Sequence, residues 1–382
     1  MIENLVSPKS SPGRAGTPVA GVVFHYDVAS SGSVAEAAHL CSLGIKVDVL
    51  VSKSNEHVLR RAYNKELKNS PNLTMRALEL RSQDLSVERM SKLMAFSDSD
   101  TKVPLYMEII LRILREMAIE SRGGPFSYGV FRDKLTVAGQ TFKGEQAAPM
   151  NQRLSLLESF MVPNPRYNND RSSIFNIQPG TLTIIDLSDP FVDASTVCVL
   201  FDICLSLVQK NAPDCGLVVA LDEAHKYLNS SLAADNFTDR LLTTIREQRH
   251  NGTRVIIATQ EPTLSEKLLD LSSVSIVHRF SSPAWFAAIK DHLGGASSLQ
   301  AGKSEQKDLM EAIVELGTGE SFVFSPSSYL LCKNGEAKKL GSGILKMKTR
   351  KRRGEDGGKS KMATAVKVED ELVDAMDDAA LD

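Results

Sequence analysis

Gly216-Leu-Val-Val-Ala-Leu-Asp222-Glu223 is a short, unbroken apolar run that ends in two adjacent acids. Such a run, continuous rather than alternating, predicts a strand buried on both faces of a parallel sheet over Leu217 to Leu221. Asp222 and Glu223 then fall at the carboxyl end of the strand, where open α/β sheets place their ligands. A carboxylate there can hold the hydration shell of Mg²⁺, and a second beside it can polarise an attacking water. Taken alone, a strand that closes on an acidic turn explains the run equally well.

Further buried strands are predicted at Val19 to Phe24, Val47 to Val51, Leu182 to Ile185 and Val255 to Ala258. Helical patterns at Ser33 to Leu43, Asn55 to Leu67 and Asp193 to Gln209 separate them, which is the βαβ rhythm of a doubly wound α/β sheet. Residues 86–162 break that rhythm. Met107, Ile109, Ile110, Leu111, Ile113, Leu114 and Met117 form a wide apolar stripe, and a second helix is predicted over Met150 to Met161. The segment reads as a helical insertion, followed by a polar loop from Pro163 to Ser173.

Two features follow the acidic strand. A helix is predicted from Thr238, as N-cap, to His250, with Asn251-Gly252 as a left-handed exit. On its wheel Leu241, Leu242 and Ile245 form the apolar sector, Arg249 falls within it and Arg246 at its edge. A guanidinium on a buried stripe is costly unless it meets an anion or a subunit boundary; the alternative is that Arg249 reaches water from the last turn. The strand Thr253-Arg-Val-Ile-Ile-Ala-Thr-Gln260 carries an amide at its tip that can bond both a water and a phosphate oxygen.

Leu221-Asp-Glu-Ala-His-Lys, Ile245-Arg-Glu-Gln-Arg-His-Asn-Gly, Ile257-Ala-Thr-Gln-Glu-Pro and Ser275-Ile-Val-His-Arg-Phe together resemble the HerA/FtsK-like branch of P-loop NTPases, with the look of its fungal members. The resemblance covers residues 19 to 325. It implies a RecA-like fold: a mainly parallel twisted sheet flanked by helices. It also implies ATP and Mg²⁺ as cofactors, a homo-oligomeric ring, and DNA as the polymer acted upon. By the same resemblance, Asp222 corresponds to the metal-holding Walker B aspartate, Glu223 to the catalytic base and Gln260 to the sensor. Arg246 and Arg249 correspond to arginines that act across a subunit boundary. The branch often has arginine after Thr-Gln, where this chain has Glu261.

A phosphate-binding loop, G-x-x-x-x-G-K-[ST], is absent from the sequence. Gly302-Lys303-Ser304 lacks the earlier glycine, follows the acidic strand and has no strand before it, so it reads as a chance match. Val19 to Asp27 resembles the strand that follows the P-loop helix in the branch. The expectation is that the P-loop lies upstream of this chain, which alone would hydrolyse ATP feebly. Two functions stay open: an ATPase motor on nucleic acid, and a non-hydrolysing scaffold of ATPase-like fold. Asp222-Glu-Ala-His225 also spells a DEAH box, but the Ser-Ala-Thr strand that accompanies it is missing, and His225 reads as a local hydrogen-bonding residue.

With 382 residues and 42% hydrophobic content, disorder of the whole is excluded, and a net charge of -2 provides no general attraction to nucleic acid. The five cysteines, Cys41, Cys198, Cys204, Cys215 and Cys332, show no zinc spacing and read as reduced core residues of an intracellular protein, nuclear or cytoplasmic. Met1 to Pro18 has no signal-peptide core, and Val197 to Val208, interrupted by Asp202, is too short to span a membrane. Residues 1–18 are expected to be disordered and 19–340 to form the core. Residues 341–382, with basic Lys346 to Arg353 and acidic Glu369 to Asp382, read as a disordered tail that includes a weak nuclear signal.

Overall fold

In the computed structural model, the described residues are 1–7, 17–27, 34–94, 105–139, 144–162, 174–175, 177–211, 215–262, 264–293, 303–331 and 335–350. The apolar runs form β1 (Ala20–His25), β2 (Lys46–Val51), β4 (Thr181–Asp186), β5 (Leu217–Leu221) and β6 (Thr253–Ile257). With β3 (Leu73–Ala77), which the sequence reading did not pick out, they make one parallel sheet in the order β3-β2-β4-β1-β5-β6. β3 sits at an edge and is only half-buried, so it lacks the dense apolar run that marks its neighbours.

Both faces of the sheet are covered, which explains why its central strands are buried along nearly their whole length and rich in apolar residues. Ala20, Val22 and Phe24 of β1 and Leu217, Val219 and Leu221 of β5 face one core, shared with α3 (Val87–Met94), α4 (Leu105–Ser121), α5 (Tyr128–Gly139), α6 (Gly144–Ser159), α7 (Ala194–Lys210) and α8 (Leu232–Arg246). Val23, Leu182, Ile184 and Ala220 face a second core against α1 (Ile2–Val6), the 3-10 turn Glu36–Leu43 and α2 (Glu56–Glu66). The insertion thus holds four helices where two were predicted.

Several expectations are corrected. The amino-terminal segment is ordered at its start: α1 buries Val6 against Gly21, where a Cβ would come within 2.8 Å of Leu182. At the other end, residues 345–348 are not tail but β11 (Leu345–Lys348), paired antiparallel with β8 (Glu320–Phe324); Lys346 meets Glu320 at 2.9 Å. Arg350 reaches back to Glu3 and Asn4 on α1, at 2.7 and 3.0 Å. Charge alternates with apolar residues in Leu345-Lys-Met-Lys348, a half-buried strand pattern that a reading by charge blocks overlooks. The Pro163 to Ser173 loop, Cys332 and residues 351–382 lie outside the described residues.

A second, smaller unit follows the sheet. β7 (Ser275–His278), β8 and β11 form an antiparallel sheet in the order β11-β8-β7, and β9 (Tyr329–Leu331) pairs with β10 (Ala337–Lys339). α9 (Glu266–Asp270) precedes β7, and α10 (Pro283–Ile289) and α11 (Lys303–Val314) follow it. Leu309 and Ile313 of α11 share a cluster with Val277, Phe286 and Phe324. Lys303 and Ser304, from the Gly-Lys-Ser run, open α11 beside this small sheet. No helix among the described residues is long and apolar enough to cross a membrane.

Candidate functional site

The carboxyl ends of β1, β4 and β5 deliver a concentration of acids. Phe24 accepts a hydrogen bond from the Asp222 amide at 2.9 Å, which fixes the end of β5 against β1. Asp222 Oδ2 lies 3.0 Å from Nδ1 of His25, the last residue of β1. His25 is buried, and its Nε2 has no hydrogen-bond partner among the described residues. Burial opposes the charged imidazolium, but the hydrogen bond to Asp222 and the charges of Asp186, Asp222 and Asp27 outweigh it, so the His25 pKa is raised.

Glu223 sits in the left-handed region, with φ 50° and ψ 44°, an uncommon place for a side chain other than glycine or asparagine. The conformation turns the chain sharply off β5, while the Ala224 amide bonds Ala258 at 2.9 Å just beyond β6. Gln260 Nε2 donates to Glu223 Oε1 at 2.8 Å. Glu223 Oε2 is buried without a hydrogen-bond partner among the described residues, and His225 Nε2 is 3.6 Å away, beyond hydrogen-bond reach. The Gln260 amide approaches His225 Nδ1 at 3.4 Å, so His225 is a neighbour of the acid and the amide, as expected from the sequence.

The structure therefore brings Asp222, Glu223 and Gln260 together. It does not bring in the arginines. α8 begins at Ser231, whose hydroxyl caps the Ala234 amide at 3.2 Å, and Thr238 is a buried mid-helix residue instead of the expected N-cap. Starting seven residues earlier, the helix is assigned only to Arg246, and Arg249 lies in the turn beyond it, so the wheel that aimed Arg249 along the buried stripe does not apply. Arg246 and Arg249 are both exposed, and among the described residues neither makes a hydrogen bond or ion pair. Gly252, with φ +60°, supplies the left-handed exit into β6.

Other polar groups at this edge escaped the sequence reading. Asp186, fully buried at the end of β4, accepts from the Tyr63 hydroxyl at 2.7 Å and the Ser188 amide at 3.0 Å. Burial and the Asp186 charge hold the Tyr63 phenol well above its usual pKa. Asp189 accepts from the hydroxyls of Ser52 and Ser54, and Lys226 meets Asp27 at 3.1 Å. The available signal was positional: His25 and Asp27 follow the last apolar residues of β1 just as Asp222 follows those of β5.

These groups fit a hard cation with much of its water retained. The donors are carboxylate oxygens, one of them orphaned and buried, which suits Mg²⁺ or Ca²⁺ more than a softer metal. Among the described residues no three side chains converge closely enough to cage a metal unaided, in keeping with a hydrated ion.

No protein-family model matches the chain, and no curated protein sequence matches it. Among solved structures, VirB4 of Thermoanaerobacter pseudethanolicus is similar with a TM-score of 0.50 and 11% identity, covering 88% of this chain and 90% of that one. The bacterial conjugative coupling protein TrwB aligns over 86% of this chain and 84% of its own at 12% identity and a TM-score of 0.41. The genome packaging NTPase B204 from Sulfolobus turreted icosahedral virus 2, in complex with AMP, covers 44% of this chain and 69% of that one, at 14% identity and a TM-score of 0.27. At these identities it is the fold that is shared with VirB4: a six-stranded parallel sheet flanked by helices, consistent with a RecA-like P-loop NTPase fold.

Proposed function

We propose that the chain is the ATP-hydrolysing core of a HerA/FtsK-type motor acting on nucleic acid. The observation that carries the reading is the pairing of Gln260 with Glu223 at 2.8 Å beside Asp222, at the carboxyl end of a central parallel strand. Asp222, hydrogen-bonded to His25, would hold Mg²⁺. When bound, Mg²⁺ supplies charge neutralisation for the phosphates. Glu223 accepts the proton of the attacking water, and its strained backbone and orphaned oxygen hold the carboxylate ready for that role. Gln260 keeps one carboxylate oxygen engaged and links its state to β6. Arg246 and Arg249, exposed and unpaired, serve the site of a neighbouring copy in a ring; DNA is the polymer moved.

The test is ATP turnover by a polypeptide in which a strand and phosphate-binding loop precede residue 1. Glu223→Gln is expected to lower turnover by roughly 10²- to 10⁴-fold while bound ATP persists. Unchanged turnover removes Glu223 from the role of base. Arg249→Ala is expected to slow hydrolysis with nucleotide affinity kept.

The second reading, a non-hydrolysing scaffold, draws on the acidic character of the site, where Asp222 and Glu223 repel phosphate. Failure of ATP to bind once such a loop is supplied would favour it.

A further inference from the structure

Three neighbouring strands of the main sheet end in a row of titratable side chains. His25 of β1 pairs in register with Asp186 of β4, and Phe24 pairs with Leu221, so Asp222 is the next position on β5. Side chains alternate between the faces of a strand, and Val23, Ile184 and Ala220, two residues earlier, all belong to the core against α2. Asp186, His25 and Asp222 therefore stand side by side on that face, with the imidazole in the middle. His25 Nδ1 is committed to Asp222 at 3.0 Å. Nε2 leaves the ring in nearly the opposite direction, buried and without a hydrogen-bond partner among the described residues, a condition that buried polar atoms rarely keep. On that side the neighbouring strand supplies Asp186, whose charge acts on His25 more strongly than that of any other carboxylate. Asp186 is fully buried and has acceptor capacity to spare: of roughly four sites on a carboxylate, the Tyr63 hydroxyl takes one at 2.7 Å and the Ser188 amide another at 3.0 Å. Tyr63 of α2 in turn accepts from the Ala35 amide at 3.2 Å, which anchors the row in the core.

We propose that Asp186 and Tyr63 are positioning residues for Asp222: one trapped water joins His25 Nε2 to Asp186, and the row from Tyr63 through Asp186 and His25 holds the Asp222 carboxylate in a single orientation. A polar pair beyond direct hydrogen-bond reach is closed by such a water where each partner has a free site. Carboxylates that hold ions take their orientation from outer partners of this kind. Asp222 is the member that reaches solvent, its side chain 31% exposed against 6% for His25, so order set in the core is delivered at the sheet edge. The bearing on Mg²⁺ rests on the proposed ATPase reading; the row itself does not.

The full chain, isotope-labelled at its histidines, is followed by NMR and titrated with Mn²⁺ in place of Mg²⁺. His25→Gln assigns the His25 signals, and Asp222→Asn assigns the ion site. The wild-type protein is expected to show a slowly exchanging His25 Nδ1–H, a cross-peak between the His25 ring and a long-lived water, and saturable Mn²⁺ binding that Asp222→Asn removes. Asp186→Asn should erase the water cross-peak, shift the Nδ1–H and weaken Mn²⁺ binding roughly tenfold. In the His25→Gln background the same substitution should bring no further loss of Mn²⁺ affinity, because the connection is already cut. If Asp186→Asn does not fold, Tyr63→Phe removes one hydroxyl from the row and makes the same comparison, with smaller changes in the same direction. His25 signals indifferent to these substitutions overturn the proposal. So does an equal loss of Mn²⁺ affinity with and without His25, which would mean that Asp186 acts by its charge alone. His25 signals that respond as expected in a protein that binds no Mn²⁺ at Asp222 leave the row standing and defeat Asp222 as the metal holder. Mn²⁺ held by Asp222 but indifferent to Asp186 does the reverse.

Discussion

At the centre of the main sheet, β4, β1 and β5 bury their apolar residues on both faces, and their polar ends are held by two side-chain pairs, Tyr63 with Asp186 and His25 with Asp222. Along the flank, β6 and β7 leave backbone edges open and side chains half-buried. Gln260 stands at the join, reaching from the flank to Glu223. The difference separates two tasks. The centre holds a buried frame for the carboxylates, and the flank is less densely covered among the described residues.

The strongest test of that contrast is a cavity mutation on each side. Phe201 of α7 is fully buried and packs on Phe24 of β1 at a ring distance of 4.7 Å and on Tyr227 at 5.1 Å. Phe201→Ala is expected to destabilise by about 3–5 kcal/mol. Ile257→Ala on β6 removes a half-exposed side chain and should cost about 1 kcal/mol. Urea unfolding midpoints compare the two, and equal losses would erase the distinction.

The same contrast explains what could be read from the sequence. β1, β2, β4 and β5 were legible because burial on both faces leaves dense apolar runs, interrupted only by Asp48 in β2 and Thr183 in β4, and Asp222-Glu223 was legible because it ends one. β3 and β11 were missed because half-buried strands mix charge with apolar residues. The start of α8 was misplaced because Thr238 is as good a cap by type as Ser231, and only tertiary packing decides. His25 carries no sign of its role in the sequence, since its partner Asp222 is remote along the chain and the register of β1 against β5 alone joins them.

Within the central frame, Glu223 is the point where stability has been yielded. A left-handed non-glycine residue costs on the order of 1–3 kcal/mol. Glu223→Gly should therefore raise stability, by about 1 kcal/mol after the added flexibility of the unfolded chain is counted. Thermal unfolding of the full chain checks it, and destabilisation would mean that Glu223 is held by contacts worth more than its strain. On α8, Ser231→Ala should cost about 1 kcal/mol through the lost cap. Thr238→Ala should leave capping untouched, and far-UV circular dichroism through the unfolding transition distinguishes the two.

The smallest expected effect is a pH dependence at the tie between β1 and β5. Burial and the Asp222 hydrogen bond act on His25 in opposite directions, so only their difference survives, and it leaves the folded pKa above the ordinary 6.5. The folded protein thus binds the His25 proton more tightly than the unfolded chain does. That contribution is complete below the unfolded pKa and is lost as pH rises through the folded one. Compared with His25→Gln in buffer containing a chelator, the wild-type protein should hold its greatest stability advantage in mildly acidic solution, and the gap should narrow as pH rises past neutrality. A gap that instead widens with pH would mean that His25 is held neutral at the site. Asp222 would then be positioned by an uncharged imidazole N–H, and the frame at the centre of the sheet would depend on packing more than on charge.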